Sequence, residues 1–316
     1  MTLSYVIPCY RSEKTIAGVI DEIEQVMNQR PEHKYEIICV NDGSPDGVYQ
    51  ILKEIASKNF RLKIINFARN FGKAAAVLAA YGKCAGDVVV SLDDDGQCPV
   101  DRTWDLVDAL DEEHDLAFAD YPKKKENFIK RIGSRVNATV MNLLMEQPDD
   151  ITINNFSAMK RFVADEMTHY KNPFPSLHPL LVQTTHSIVM VPMEERERSD
   201  GRTSGFTFLK SVRLMINGFT NFSVKPLRIA AGIGVIFSLI GFVYAIIIVV
   251  RKLTYPSVLV GYSSIMAALF FIGGVIMLLL GVIGEYLGRV YICINNAPQY
   301  VIRDMINIDC NREEVI

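Results

Sequence analysis

Residues 87–99 read DVVVSLDDDGQCP. Three consecutive acids, Asp93, Asp94 and Asp95, follow a short β-branched run and precede Gly96 and Pro99. Adjacent carboxylates repel, and desolvating them is costly without a cation or hydrogen-bond donors to compensate. One reading is a polar turn with every carboxylate in water. The apolar run supplies another: a buried strand whose carboxyl end carries the acids, where open α/β sheets bind ligands. A hard divalent cation shared by a few carboxylates and the phosphates of a ligand would then account for the charge.

The flanking sequence is consistent with that strand. Short β-branched runs at Leu3–Pro8, Tyr35–Asn41, Leu62–Phe67, Asp87–Leu92 and Leu116–Ala119 alternate with helical patterns. The helical patterns cover Lys14–Asn28, Asp46–Lys58, Gly72–Cys84 and Val100–Leu110. Such alternation predicts an α/β domain with a mainly parallel sheet covered by helices on both faces. No G-x-G-x-x-G opens any of these helices, which argues against a dinucleotide-binding domain. Beyond Tyr121 come a basic run (Lys123–Lys125), a helical pattern over Asn127–Met145 and another over Arg161–Tyr170. The prolines of NPFPSLHP (172–179) predict a loop, and Ser187–Val191 reads as a strand. Phe206–Phe219 carries apolar residues at helical spacing around Lys210 and Arg213, the pattern of a helix lying in a membrane interface.

Composition narrows the class. The 316 residues carry a net charge of −3, so global charge offers no argument for nucleic acid as a partner. Six cysteines lie far apart with no C-x-x-C pair, so a disulfide framework or zinc site is not expected and a reducing compartment is. The start, MTLSYVIPCY, lacks the basic and apolar regions of a signal peptide. Two stretches exceed what a soluble core needs: Ile229–Val250 and Ser263–Gly284, each 22 residues without a charge. At ~1.5 Å rise each reaches about 33 Å, enough for a bilayer core of about 30 Å. Twelve residues, Arg251–Tyr262, join them, so they predict a transmembrane hairpin. Basic residues crowd the approach (Arg198, Arg202, Lys210, Arg213, Lys225, Arg228), and Arg289 and Arg303 follow the second span. The loop carries only Arg251 and Lys252, so the positive-inside rule places the large domain and both termini in the cytoplasm. The expected organisation is a cytoplasmic domain (1–205), an interfacial helix region (206–228), a hairpin (229–284) and a cytoplasmic tail (285–316).

Four motifs now stand in order: VIPCYRSE (6–13), VNDGSPDG (40–47), RNFGKAAA (69–76) and SLDDDGQCP (91–99). Together they resemble the family 2 glycosyltransferases of GT-A fold. The resemblance implies that Pro8, Tyr10 and Glu13 line a nucleoside pocket, that Asp42 hydrogen-bonds the base and that Lys73 lies beside the donor. It implies that Asp93 and Asp95 hold Mg²⁺ or Mn²⁺ with Gln97 facing the metal, Asp94 taking the variable middle place of the donor-binding motif. RSDGRTSGF (198–206) and the junctions NGFTNFSVKPLRIA (217–230) and GVIGEYLGRVY (281–291) resemble the polyprenyl-phosphate branch, the dolichol-phosphate mannose synthase and bactoprenol glucosyltransferase group. By that likeness Arg198 and Thr203 bind a lipid phosphate or the donor diphosphate, for which a planar guanidinium fork is well suited. The branch carries a lysine where Ser204 stands, and Arg202 could supply that charge. Membership of the branch also implies a homo-oligomer, a tetramer, in the inner membrane.

One departure touches the chemistry. The branch reads G-D-F-R-L where this chain has NNFSAMKR (154–161), so Asn155 replaces the carboxylate proposed as base. A sugar hydroxyl must lose a proton to attack. A phosphate monoester, with a second pKa of about 6, is already largely ionised at neutral pH. The expected reaction is therefore inverting transfer of one sugar from a nucleotide-diphosphate donor, UDP-linked, to undecaprenyl phosphate or a similar lipid, with Asn155, Asp95 and Arg198 at the reacting centre. A processive polysaccharide synthase would carry Q-x-x-R-W, and the single tryptophan, Trp104, lies in DRTWD instead. The alternative is a degenerate homologue that binds donor or lipid as a scaffold.

Overall fold

The computed structural model describes residues 1–122, 154–173, 175–196, 262–295 and 297–308, with scattered helical positions between 232 and 254. Within this range lie eight strands: β1 (Thr2–Cys9), β2 (Lys34–Asn41), β3 (Leu62–Phe67), β4 (Val88–Ser91), β5 (Leu116–Asp120), β6 (Ser157–Lys160), β7 (Ile188–Pro192) and β8 (Ile302–Ile306). They form one sheet in the order β7-β5-β6-β4-β1-β2-β3-β8. The centre, β4-β1-β2-β3, is parallel. β6 runs antiparallel to β4 and β5, and β8 antiparallel to β3, so the sheet is mixed but mostly parallel. β1 is buried almost throughout, as its near-continuous apolar run TLSYVIPC requires of a strand covered on both faces.

Helices α1 (Ile16–Met27), α2 (Val48–Ala56), α3 (Lys73–Tyr81) and α4 (Thr103–Asp108) follow β1 to β4; α5 (Arg161–Thr168) follows β6 and α6 (Leu177–Thr184) precedes β7. α1 shows why the segment is helical: Ile16, Val19, Ile20, Ile23, Val26 and Met27 recur at the helical period and are all buried. Each such side chain contributes about 1.5–3 kcal/mol through burial. They share one core with Leu3, Tyr5, Ile7 and Cys9 of β1 and with Trp104 of α4. Alternate β1 residues face the opposite side, as a period of two demands, and there α3 packs on β1 and β2. Cys9, Cys39, Cys84 and Cys98 are buried free thiols within this domain.

Three features differ from the sequence reading. α6 begins at Leu177, inside the stretch read as a loop, with Pro179 in its first turn where a missing N–H costs nothing. β6 and β8 were not expected, because each is short and carries little alternation. β8 joins the sheet edge from residues far along the chain. The segments 127–145 and 206–219 lie outside the described residues.

By compactness the chain divides into two units: Met1–Ala138 with Gln147–Phe206 and Asn296–Ile316, and Thr139–Glu146 with Thr207–Asn295. In the second unit, α7 (Tyr262–Ile294) contains one stretch, Ile272–Ile294, long and apolar enough to cross a membrane. Leu269, Ile272, Ile276, Leu280, Ile283 and Leu287 are exposed along it at helical spacing. An apolar stripe of that length calls for an apolar surrounding.

Candidate active site

The strand order reverses between β1 and β4, since β2 and β3 build outward on one side and β4 on the other. Ligands in open α/β sheets bind in the crevice at such a point, outside the carboxyl ends. The loops leaving β1, β2 and β4 there carry Tyr10, Asp42 and Asp93–Asp95, and Lys73 opens α3 just past the loop leaving β3. β6 runs the other way, so its amino end brings Asn154 and Asn155 to the same edge.

Asp93 is the hub. Its Oδ1 pairs with the Lys73 ammonium, and its Oδ2 accepts a hydrogen bond from Asn155 Nδ2 at 2.8 Å. The first residue of α3, the first acid of the cluster and the residue in the base's place thus meet directly. Asn154 anchors this junction by donating to the Ala119 carbonyl at 2.7 Å. Pro8, Lys73, Asp93, Asn155 and His178 line a cavity of about 30 Å³. That is room for a water molecule or two.

On the β2 side, Asp42 is buried and accepts from the backbone amides of Phe71 (2.6 Å) and Gly72 (2.9 Å). Burial raises its pKa, and those two hydrogen bonds only partly offset the rise. The carboxylate expected at the base thus also ties the β2 loop to the β3–α3 loop. Gly43, at φ +57°, makes the approach possible: a Cβ there would stand 2.4 Å from the Arg69 carbonyl carbon. Glu13 accepts from the Gly47 amide at 2.7 Å at the start of α2, and its own amide donates to Asp46 Oδ2 at 3.1 Å. Tyr10 is exposed, with the Arg11 guanidinium 5.5 Å from its ring centroid.

The remaining acids of the cluster have separate duties. Asp94 turns back to the β1–α1 loop, where its Oδ2 accepts from the Tyr10 amide at 2.9 Å and its carbonyl accepts from Thr15 Oγ1 at 2.6 Å. Burial, augmented by the charges of Asp93 and Asp95, pushes its carboxyl up to about 6. Asp95 Oδ1 accepts from the Gln97 amide at 3.1 Å. Gln97 Nε2 donates to Glu195 Oε1 (3.3 Å) and the Arg196 carbonyl (3.4 Å), so of that side chain only the oxygen could serve a hard cation.

Does this donor set fit a divalent cation? Among the described residues no three His, Cys, Asp or Glu side chains cluster closely enough to cage one. Mg²⁺-type ions, however, are commonly held by one or two carboxylates together with substrate phosphates and water. Asp93 and Asp95, two residues apart just beyond β4, supply two such carboxylates. Tyr121, just past β5, points the same way: its buried hydroxyl has no hydrogen-bond partner among the described residues. Burial first, then the neighbouring Cys98 and the negative charges of Glu195, Asp93 and Asp95, raises its pKa far above the ordinary value. A hydrated cation or a phosphate oxygen would satisfy that orphaned O–H.

Pro8, Lys73, Asp93 and Asn155 therefore converge, while Asp42 and Glu13 brace loops beside them. Arg198, Arg202 and Thr203 lie outside the described residues. Sequence reasoning missed Tyr121 and His178. His178 was hidden by the prolines around it, and Tyr121 stands at a strand end that carries no motif.

Residues 4–168 match the glycosyl transferase family 2 domain, and residues 225–290 match the GtrB C-terminal hairpin. The chain is 32% identical over 310 residues to an uncharacterized glycosyltransferase, YkcC, of Bacillus subtilis, covering 98% of this chain and 95% of that one. It is 27% identical over 304 residues to the SfII prophage-derived bactoprenol glucosyl transferase of Shigella flexneri, covering 96% and 98%. Its fold is similar to that of glucosyl-3-phosphoglycerate synthase from Mycobacterium tuberculosis, with a TM-score of 0.50 at 20% identity over 68% of this chain and 78% of that one.

Proposed function

The chain belongs to glycosyl transferase family 2, and from that premise we propose that it transfers one sugar from a nucleotide-diphosphate donor, UDP-linked, to undecaprenyl phosphate or a similar polyprenyl phosphate. The observation that carries the reading is Asp93, held between Lys73 and Asn155 at the switch point of the sheet. The name of the bactoprenol relative supports the lipid class.

In the proposed reaction a lipid-phosphate oxygen attacks the anomeric carbon as the bond to the diphosphate breaks. The electron pair of that bond leaves with the nucleoside diphosphate, and the sugar inverts. No proton need be removed from the nucleophile, because a phosphate monoester is largely dianionic at neutral pH. This accounts for an amide at position 155. Asn155 orients and donates, and it adds no charge against two anions. Lys73 offers its ammonium to the diphosphate, exchanging one anionic partner for another. Asp42 holds the β2 and β3–α3 loops at a fixed separation, which sets the mouth of the nucleoside pocket. Asp93 and Asp95 would hold Mg²⁺ or Mn²⁺, whose chemistry here is to neutralise the leaving diphosphate. Arg198, Arg202 and Thr203 would add phosphate contacts at the membrane face.

We read residues 229–250 and 263–284 as a two-helix hairpin in the inner membrane, with the transferase domain and both termini in the cytoplasm and the chain assembled as a homo-oligomer. The match to the GtrB C-terminal hairpin supports this. Mass spectrometry of lipid extracts, after membranes containing the protein are incubated with a panel of nucleotide sugars, tests the activity. The expected result is one glycosyl-phosphoryl-polyprenol from one donor. Binding of donor or lipid with no product from any donor would favour the scaffold reading instead.

A further inference from the structure

We propose that His178 completes the acceptor subsite, where its imidazole joins Asn155, across from the donor-side Lys73, in binding the phosphate of the incoming nucleophile. The inference rests on the transferase reading above and adds a residue that the motifs do not contain.

Lys73, Asp93, Asn155 and His178 line one small cavity. Asp93 is the single acid among these four, and each of its oxygens is engaged, one by Lys73 and the other by Asn155. An ammonium has three N–H groups and a carboxamide two. Both therefore keep hydrogen-bonding capacity after serving Asp93, and the imidazole brings one N–H more. A cation and two neutral N–H donors around one opening can serve an anionic oxygen there. The cavity, about 30 Å³, is too small to enclose a phosphate. The anion would rest at the mouth, against the rim these side chains form.

The sheet order decides which anion this is. Asn155 precedes β6, on one flank of β4, whereas Asp42 follows β2, on the other. Asp93, just beyond β4, stands between them. The nucleoside side of the crevice is thus across Asp93 from Asn155 and His178, which leaves their flank to the acceptor. His178 sits in the first turn of α6, at an exposed position on the rim of this cavity. Crowding of the ring by the surrounding protein, then the nearby Lys73 charge, holds its pKa below the ordinary histidine value. The charged groups on this rim are Lys73 from α3 and Asp93 from beyond β4. A neutral imidazole beside a cation is a donor that adds no repulsion, and a dianionic phosphate asks it for no base chemistry.

The test uses the full-length protein in nanodiscs, with undecaprenyl phosphate as the acceptor probe and UDP as the donor-side probe. Binding of each is measured directly, so the result does not depend on turnover. His178→Ala should weaken undecaprenyl-phosphate binding about tenfold or more, the scale of one hydrogen bond to a charged group. UDP affinity and the unfolding midpoint should not move. His178→Gln, which keeps an N–H donor but does not titrate, should recover much of the loss. Undecaprenyl-phosphate binding within about twofold of wild type in His178→Ala would overturn the proposal. So would an equal loss of UDP affinity, which would assign His178 to the donor diphosphate, or a glutamine variant no better than alanine. Failure of the wild type to glycosylate any lipid counts against the transferase reading. An indifferent His178→Ala in an active enzyme counts against this inference alone.

Discussion

Asn155 Nδ2 donates to Asp93 Oδ2 at 2.8 Å, so the residue standing in place of a carboxylate is bonded to the acid that a carboxylate would repel. Asn155→Asp would set two carboxylates at hydrogen-bond distance, where they can coexist only by sharing a proton or by moving apart. Either way the Lys73–Asp93 pair is disturbed, and a charge is added near an anionic nucleophile. Transfer should stay unchanged or fall, with the loss seen chiefly in acceptor affinity. Steady-state kinetics with one donor and one polyprenyl phosphate checks this. A gain of a hundredfold, about 2.7 kcal/mol of barrier, would mean that the asparagine had crippled the enzyme.

Asp95 makes a local bond to the Gln97 amide at 3.1 Å, within its own turn. Asp95→Ala should cost about 1 kcal/mol of stability and leave the domain folded. Transfer should fall by roughly a hundredfold or more if Asp95 shares a cation with the leaving diphosphate. Chelation by EDTA should do the same to wild type, and added Mg²⁺ or Mn²⁺ should reverse it. Full activity in EDTA would remove the metal from the mechanism.

Much of this site could be read in the sequence because it lies at strand ends. A β-branched run followed by acids, or by NDGS, announces both the strand and the place where it ends. The sheet's parallel centre was legible for the same reason. What the one-dimensional pattern could not carry was engagement across the sheet. Nothing near Asp42 announces that Phe71 and Gly72 will satisfy its carboxylate. Nothing near Asp94 says that it will turn toward Tyr10 while Asp93 turns toward Lys73. His178 escaped because prolines at 173, 175 and 179 signal a loop, although proline in a first helical turn is compatible with α6. β8 escaped because an edge strand needs no strong alternation when its partner supplies the register.

Glu36 offers a stability test remote from the chemistry. It is buried, and it accepts from Ser4 Oγ (2.6 Å) and the Ala85 amide (2.6 Å) while pairing with Lys63. Burial alone would raise its pKa, but the Lys63, Ser4 and Ala85 bonds together outweigh it, and the net shift is downward from 4.5. A depressed folded-state pKa contributes stability that is fully present above the unfolded value and lost as pH falls through the folded one. Wild type should therefore lose stability below about pH 4.5 partly through this group. Glu36→Gln should cost roughly 1–3 kcal/mol at neutral pH, because Lys63 loses its counter-ion. The gap between variant and wild type should close on acidification. A gap independent of pH would show that packing, and not the charge, is what the substitution removed.

The last prediction concerns which side of the membrane each segment occupies. β8 pairs antiparallel with β3, with Ile64 opposite Ile306 and Ile65 opposite Met305. The Ala68 amide donates to the Val301 carbonyl at 2.9 Å, Tyr49 Oη to Asp304 Oδ1 at 2.8 Å, and Asn307 Nδ2 to the Leu62 carbonyl at 2.8 Å. A strand held in this way must lie in the same compartment as the sheet it joins. Residues 297–308 therefore share a side with residues 1–122, and any membrane crossings between them must be even in number. One such helix is apparent in Ile272–Ile294, so the sheet itself requires a second crossing if that helix spans. The uncharged stretch Ile229–Val250 is the segment of suitable length. In intact cells, and in a background lacking Cys293 and Cys310, Thr254→Cys, an exposed position four residues past Val250, should react with an impermeant maleimide from outside. Val301→Cys, on an exposed β8-flanking position, should react only after the membrane is permeabilised. The reverse pattern would put the acid cluster outside, away from cytoplasmic nucleotide sugars. Labelling of both positions from outside would mean that the chain does not cross at all.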